Sequence, residues 1–126
     1  MKNEREFVAK LKPLWEKEGF RVVDFQNCMG DGIPDILLEK ENQSVWVEAK
    51  IIDKVTPKKK VGLRKGQMKF LLETPNLGFV ICYVREKDYV ILWRGDQSKE
   101  LIEKPLLDVQ AELDSLPLQS VPHHMD

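Results

Sequence analysis

Glu48 and Lys50 carry charge in the middle of an otherwise apolar run, Val45-Trp46-Val47-Glu48-Ala49-Lys50-Ile51-Ile52. β-Branched and aromatic types dominate it, which predicts a strand. Trp46 and Ile52 would face one side, and Val45, Val47, Ala49 and Ile51 the other, as in an inner strand covered on both faces. Two positions apart, Glu48 and Lys50 share a face. Burying two such charges is costly unless each finds a partner or a metal. An ordinary Glu–Lys pair on the wet half of a sheet would show the same spacing. The preceding run, Gly32-Ile33-Pro34-Asp35-Ile36-Leu37-Leu38-Glu39, argues against that. Between the runs, Lys40-Glu41-Asn42-Gln43 reads as a hairpin turn. If Glu41 and Asn42 form a two-residue loop, Lys40 pairs with Gln43 and Asp35 falls opposite Glu48, with Cβ atoms about 5 Å apart. Two carboxylates that close repel each other and call for a divalent cation, and hard oxygen ligands suit Mg²⁺ or Mn²⁺. Lys50 beside the ion could orient a water or offset charge on a phosphate.

Gly32-Ile33-Pro34-Asp35 followed by Glu48-Ala49-Lys50 resembles the PD-(D/E)XK nuclease signature. The small size, the G-x-P-D form and the later Leu63-Arg64-Lys65-Gly66-Gln67 are similar to the virus-type replication-repair nuclease (VRR-Nuc) domains. The resemblance spans roughly residues 4 to 94. It implies a restriction-endonuclease-like core and a Mg²⁺- or Mn²⁺-dependent DNA endonuclease selective for branched or four-way junction DNA. It also implies a homodimer, in a bacterial or phage-infected cytoplasm. The ligands would be Asp35, Glu48 and the Ala49 carbonyl, with Lys50 catalytic. Glu4, from the first helix, would join directly or through water, and Gln67 would approach the site. A restriction-type enzyme or exonuclease acting on linear duplex is the alternative within enzymes. A nucleic-acid-binding module that does not cut, or an assembly protein using the C-terminal leucines, is the alternative outside them.

Positioning these residues requires a particular set of elements. Residues 3–18 read as a helix, with Phe7, Val8, Leu11, Leu14 and Trp15 on one stripe, Asn3 as N-cap and Gly19 as terminator. Pro13 should kink or split it. Glu4 lies on that stripe, whereas Glu6 points away and suits the helix dipole. Residues 20–26 read as a strand, and residues 28–32, with Asp31, as a glycine-punctuated turn. Pro34, lacking an N–H, belongs at a strand start or a bulge. A second helix is expected over 63–74, with Met68, Leu71 and Leu72 inward, Phe70 flanking and Gln67 at the boundary. Residues 79–84 and 89–93 read as strands about a turn at 85–88. The order α-β-β-β-α-β-β predicts an α/β fold with a central mixed sheet flanked by helices. Residues 1–94 would be the nuclease-like domain. Residues 95–126 would be an extension, serving as a docking helix or dimer contact with a frayed end.

Length and composition fit one soluble globular domain, since the chain has 126 residues, 42% apolar and 33% charged. The net charge of −1 excludes little, but its distribution is uneven. Between Asp53 and Lys69 lie seven basic residues, Lys54, Lys58, Lys59, Lys60, Arg64, Lys65 and Lys69, against one acid. A charge run is ordinarily a solvated face. Placed just past the carboxylates, with Pro57 and Gly62, this one suits a DNA backbone. Without interleaved aromatics it does not suggest stacking on single strands. Cys28 and Cys82 have no metal-type spacing, and Cys82 reads as core. No apolar signal segment follows Met1, and the run Leu77–Val84 is too short to span a bilayer, so a cytoplasmic protein is expected. His123-His124 falls in the expected frayed tail.

Overall fold

The computed structural model describes residues 1–26, 33–74 and 77–117. Their elements are α1 (Glu4–Lys17), β1 (Arg21–Asp24), β2 (Ile36–Lys40), β3 (Gln43–Ile52), α2 (Lys65–Glu73), β4 (Leu77–Val84), β5 (Tyr89–Arg94), α3 (Ser98–Glu103) and β6 (Leu113–Pro117). The strands form one sheet in the spatial order β1-β2-β3-β4-β5-β6. It is mixed: β3 and β4 run parallel, with α2 as their crossover, and every other neighbouring pair is antiparallel. The chain is therefore α/β, with helices flanking the sheet. Among the described residues, no helix is long and apolar enough to cross a membrane.

Alternation along β3 divides the core in two. Val45, Val47 and Ala49 face α1, whose Phe7, Val8, Leu11 and Trp15 are buried against them. Trp46 and Ile52 face the other side, with Leu71 of α2 and Leu101 of α3. Helix α1 starts at its Asn3 cap, whose Oδ1 accepts from the Glu6 N–H at 2.9 Å. It ends at Gly19, whose φ of 95° is the left-handed turn that favours glycine. There the Gly19 and Phe20 N–H groups close back onto the Glu16 and Trp15 carbonyls. The helix runs unbroken through Pro13, so it is not split there. Pro13 and Ala9 are both exposed, so water can take up the Ala9 carbonyl that loses its donor, while Leu11 and Trp15 hold the helix to the sheet.

Three further expectations change. Leu72, expected inward, is 43% exposed, because α2 turns Gln67 and Leu71 to the sheet instead. Strand β4 begins at Leu77, ahead of the expected start, and takes in Gly78, where an added Cβ would come within 3.0 Å of Leu71. Residues 95–117, expected as an extension, are built into the fold. β6 pairs with β5, and Leu101, Leu106 and Val109 are buried in the same core as Val61, Leu63 and Trp93. The turn with Cys28 and Asp31, and the tail with His123 and His124, lie outside the described residues.

Candidate metal centre

The hairpin sets the site. Lys40 pairs with Gln43 and Ile36 with Val47, so the loop is Glu41-Asn42 and the register continues to Asp35 opposite Glu48. Asp35 stands one residue before β2, just after the buried Pro34. Its Oδ2 accepts from the Ala49 N–H at 3.0 Å. The N–H and C=O of one strand residue leave on the same edge. The Ala49 carbonyl therefore leaves β3 toward Asp35, beyond the last β2–β3 pair.

Glu48 is buried, 1% exposed, on the α2 face of the sheet. Its Oε2 accepts from Gln67 Nε2 at 3.0 Å and lies 3.6 Å from Lys50 Nζ. The other end of the Gln67 amide, Oε1, accepts from Lys50 Nζ at 3.2 Å and from the Arg64 N–H at 2.9 Å. Both of those partners can only donate, which fixes the orientation of the amide. Glu48 Oε1 has no hydrogen-bond partner among the described residues. Burial first, and the neighbouring Asp35 carboxyl second, push the Glu48 carboxyl up from 4.5 to about 8, against the smaller opposing pull of Lys50. Two ionised carboxylates cannot hydrogen-bond to each other. A proton can tie them, and so can a cation.

That orphaned oxygen and the repulsion from Asp35 are what a divalent ion would relieve, so the donor set fits Mg²⁺ or Mn²⁺. Asp35 and Glu48 would hold the ion, with the Ala49 carbonyl on the same edge. Bound there, it would supply Lewis-acid stabilisation and a more acidic water. Lys50, half-buried and anchored by Gln67, presents a fixed positive charge beside that position.

No protein-family model matches this chain, and none of the curated proteins matches it.

The expected residues fall into three groups. Asp35, Glu48, Lys50 and Gln67 converge, with Ala49 between them. Gln67, read from the sequence as a boundary residue as much as a site residue, is buried at the centre of the polar network. Glu4 stands apart. Among the described residues, no three acidic, histidine or cysteine side chains gather closely enough to hold an ion, so Glu4 does not complete a triad with Asp35 and Glu48. It is half-buried at the start of α1, the helix packed on the face of the sheet opposite Glu48. Lys54, Lys58, Lys59, Lys60, Arg64, Lys65 and Lys69 are all exposed.

The loop bearing several of these lysines is held at Lys59 and by two buried residues after it. The Leu106 N–H donates to the Lys59 carbonyl at 2.8 Å, and the Lys59 N–H to the Thr56 carbonyl at 3.1 Å. Val61 and Leu63 are buried at 3% and 8% exposure. Lys58, Lys59 and Lys60 therefore project from an anchored backbone. Sequence reasoning missed Arg85, assigned only to a turn. Its guanidinium donates to the Met1 and Lys2 carbonyls and to the Asp53 carboxylate.

Proposed function

We propose that this protein is a metal-dependent DNA endonuclease with a restriction-endonuclease-like core. It hydrolyses phosphodiester bonds in branched or four-way junction DNA, as a homodimer in the cytoplasm. The observation that carries this reading is the buried Glu48 carboxylate. It is pressed against Asp35 with one oxygen unpartnered, and Lys50 is fixed alongside. A structural ion pair needs no second acid, whereas metal-assisted phosphodiester hydrolysis uses a cation site with a neighbouring positive charge. The resemblance of Gly32-Ile33-Pro34-Asp35 and Glu48-Ala49-Lys50 to the PD-(D/E)XK signature adds support. So does the exposed basic segment that begins directly after β3.

In this reading Asp35 and Glu48 hold the Mg²⁺ or Mn²⁺, with the Ala49 carbonyl as a further ligand. Glu4 contributes from the rim through water. Lys50 orients the attacking water and offsets the charge that develops on the phosphate. Gln67 keeps Lys50 and Glu48 in place, and the lysines of the loop grip the backbone away from the cut. Symmetric pairing would present two such sites to a branched substrate.

The test is a cleavage assay on linear, flap and four-way DNA with Mg²⁺, Mn²⁺ or Ca²⁺. Cutting of the branched substrates is expected with Mg²⁺ or Mn²⁺, and none from Asp35→Ala or Lys50→Ala variants that remain folded. Full activity in either variant would remove the assignment. Equal cutting of plain linear duplex would move it to a restriction-type or exonuclease activity.

A further inference from the structure

Three aromatic rings from separate parts of the chain meet beside Asp35 and Glu48. Phe25 lies just past β1, Trp46 in β3 and Phe70 in α2. The Trp46 ring is centred 5.7 Å from that of Phe25 and 5.2 Å from that of Phe70, which it meets edge to face. Each ring is tied to a residue of the site. The Phe25 N–H donates to the Asp35 carbonyl at 2.7 Å. Trp46 precedes Glu48 by two positions, so both side chains leave the same face of β3. Phe70 follows Gln67 by three positions, so the two are neighbours along one side of α2.

All three rings are half-buried, whereas the other two tryptophans, Trp15 and Trp93, are 0% exposed. Positive charge borders them. Lys69 directly precedes Phe70, Lys65 stands one turn before Lys69, and both are exposed. Aromatic faces next to lysines suit nucleic acid, because a base stacks on the ring while the ammonium holds its phosphate. The spacing also fits. Two residues advance about 6.6 Å along a strand, close to two nucleotide steps of about 3.4 Å each. A base inside a duplex has both faces covered by its neighbours, so only an unpaired base can reach these rings. We propose that Phe25, Trp46 and Phe70 form a stacking platform for an unpaired base about two nucleotides from the phosphate held at the metal centre. The proposal rests on the nuclease reading above and narrows its substrate. Branches with unpaired nucleotides, as in a flap, are preferred to a four-way junction in which every base is paired.

The experiment titrates the full chain, in Ca²⁺, with a plain duplex, a fully paired four-way junction and a flap with unpaired nucleotides at its branch. With Trp15 and Trp93 buried, Trp46 is the tryptophan whose emission a stacked base can quench. Quenching is expected with the flap and not with the other two DNAs, and it should vanish in Trp46→Phe. Phe25→Leu and Phe70→Leu should each lower the ratio of flap to duplex affinity about tenfold, within the range of one base–aromatic stack. Either variant suffices should the other fail to fold. Equal quenching by all three DNAs, or an unchanged ratio in a folded variant, would overturn the proposal. Trp46 emission that changes with protein concentration alone would give this face to a second copy of the chain and overturn it too. Cutting of the flap without quenching overturns the platform and leaves the nuclease reading standing. Quenching by a chain that cuts no DNA in Mg²⁺ or Mn²⁺ keeps the platform as a binding site and overturns the nuclease reading.

Discussion

Gln67 Nε2 stands 3.0 Å from Glu48 Oε2, and this contact registers helix α2 on the strand that bears the site. Replacing Gln67 by Leu would preserve an apolar row with Leu71. It would leave Glu48 Oε2 with only Lys50, at 3.6 Å. When Glu48 is ionised, losing a hydrogen bond to a charged group costs about 1.5–3 kcal/mol; when it is protonated, the cost is nearer about 1 kcal/mol. Gln67→Leu should therefore destabilise the metal-free chain more at pH 9 than at pH 5 in urea unfolding, and cleavage should fall at least about tenfold. Equal destabilisation at the two pH values would show that Gln67 serves packing alone.

Glu48 makes the metal-free fold pH-sensitive in a defined direction. Its carboxyl is raised from 4.5 to about 8 by burial and by Asp35. Between those values the folded chain keeps a proton that the unfolded chain has released. The associated stability is complete below about pH 4.5 and is lost as the pH rises toward 8, at up to about 1.4 kcal/mol per pH unit. Urea midpoints in EDTA should fall across this window for the wild type. Glu48→Gln should flatten the trend, be the more stable of the two at pH 8, and cut nothing. Mn²⁺ must displace the same proton, so its binding should tighten as the pH approaches 8. A wild-type midpoint constant from pH 5 to 8 would contradict this account.

The basic loop is rigidly mounted, which separates its effect on DNA from any effect on folding. Lys58, Lys59 and Lys60 are exposed, and it is the backbone of this loop, through the Lys59 carbonyl, that ties it to the rest of the fold. Changing all three to Ala should alter stability by no more than about 0.5 kcal/mol per substitution. The slope of log affinity against log salt for duplex DNA should shrink by about 0.9 for each phosphate that the variant no longer neutralises. Fluorescence anisotropy over a salt series in Ca²⁺ measures that slope. An unchanged slope would mean that the DNA path lies elsewhere.

Several features were legible because short-range rules govern them. A two-residue loop fixes a hairpin register, so Asp35 could be set opposite Glu48 by counting, and the period of two put Glu48 and Lys50 on one face. The Asn3 cap and the Gly19 terminator follow from local backbone chemistry in the same way. Other features depend on tertiary contacts that leave no periodic trace. The rotation of α2, which buries Gln67 and exposes Leu72, is set by the reach of Gln67 to Glu48. Pro13 is tolerated because its side of α1 faces solvent. Residues 95–117 are divided into short pieces about Pro105, too brief for a hydrophobic period, although Leu101, Leu106 and Val109 complete the core. Arg85 carries no local signal for a partner 84 residues distant.

The hairpin loop contains a correctable strain. Glu41 has φ 55°, in the left-handed region that glycine adopts readily and glutamate does not. Glu41→Gly should stabilise the fold by about 1 kcal/mol, seen as a rise in Tm of several degrees. Because the loop sets the Asp35–Glu48 register, cleavage should be preserved. A loss of stability would mean that the Glu41 side chain makes a compensating contact.

The segment after Arg94 sets the last expectation. Were residues 95–126 only an extension, truncation after Trp93 would leave the domain of residues 1–94 folded. The structure argues otherwise, since Trp93 is 0% exposed and its indole N–H donates to the Val109 carbonyl at 3.3 Å. Truncation there would uncover Trp93 and strip Val61 and Leu63 of their partners, so the chain should fail to fold. Single substitutions give the cleaner measurement. Leu101→Ala, at a fully buried position, should cost about 2–5 kcal/mol. Leu107→Ala, at a position 59% exposed, should change stability by no more than about 0.5 kcal/mol. Because the Leu106 N–H also anchors the Lys59 carbonyl, loosening α3 should weaken DNA binding at temperatures where the fold still persists. A Leu101→Ala chain as stable as the wild type would show that this segment merely covers the core and does not build it.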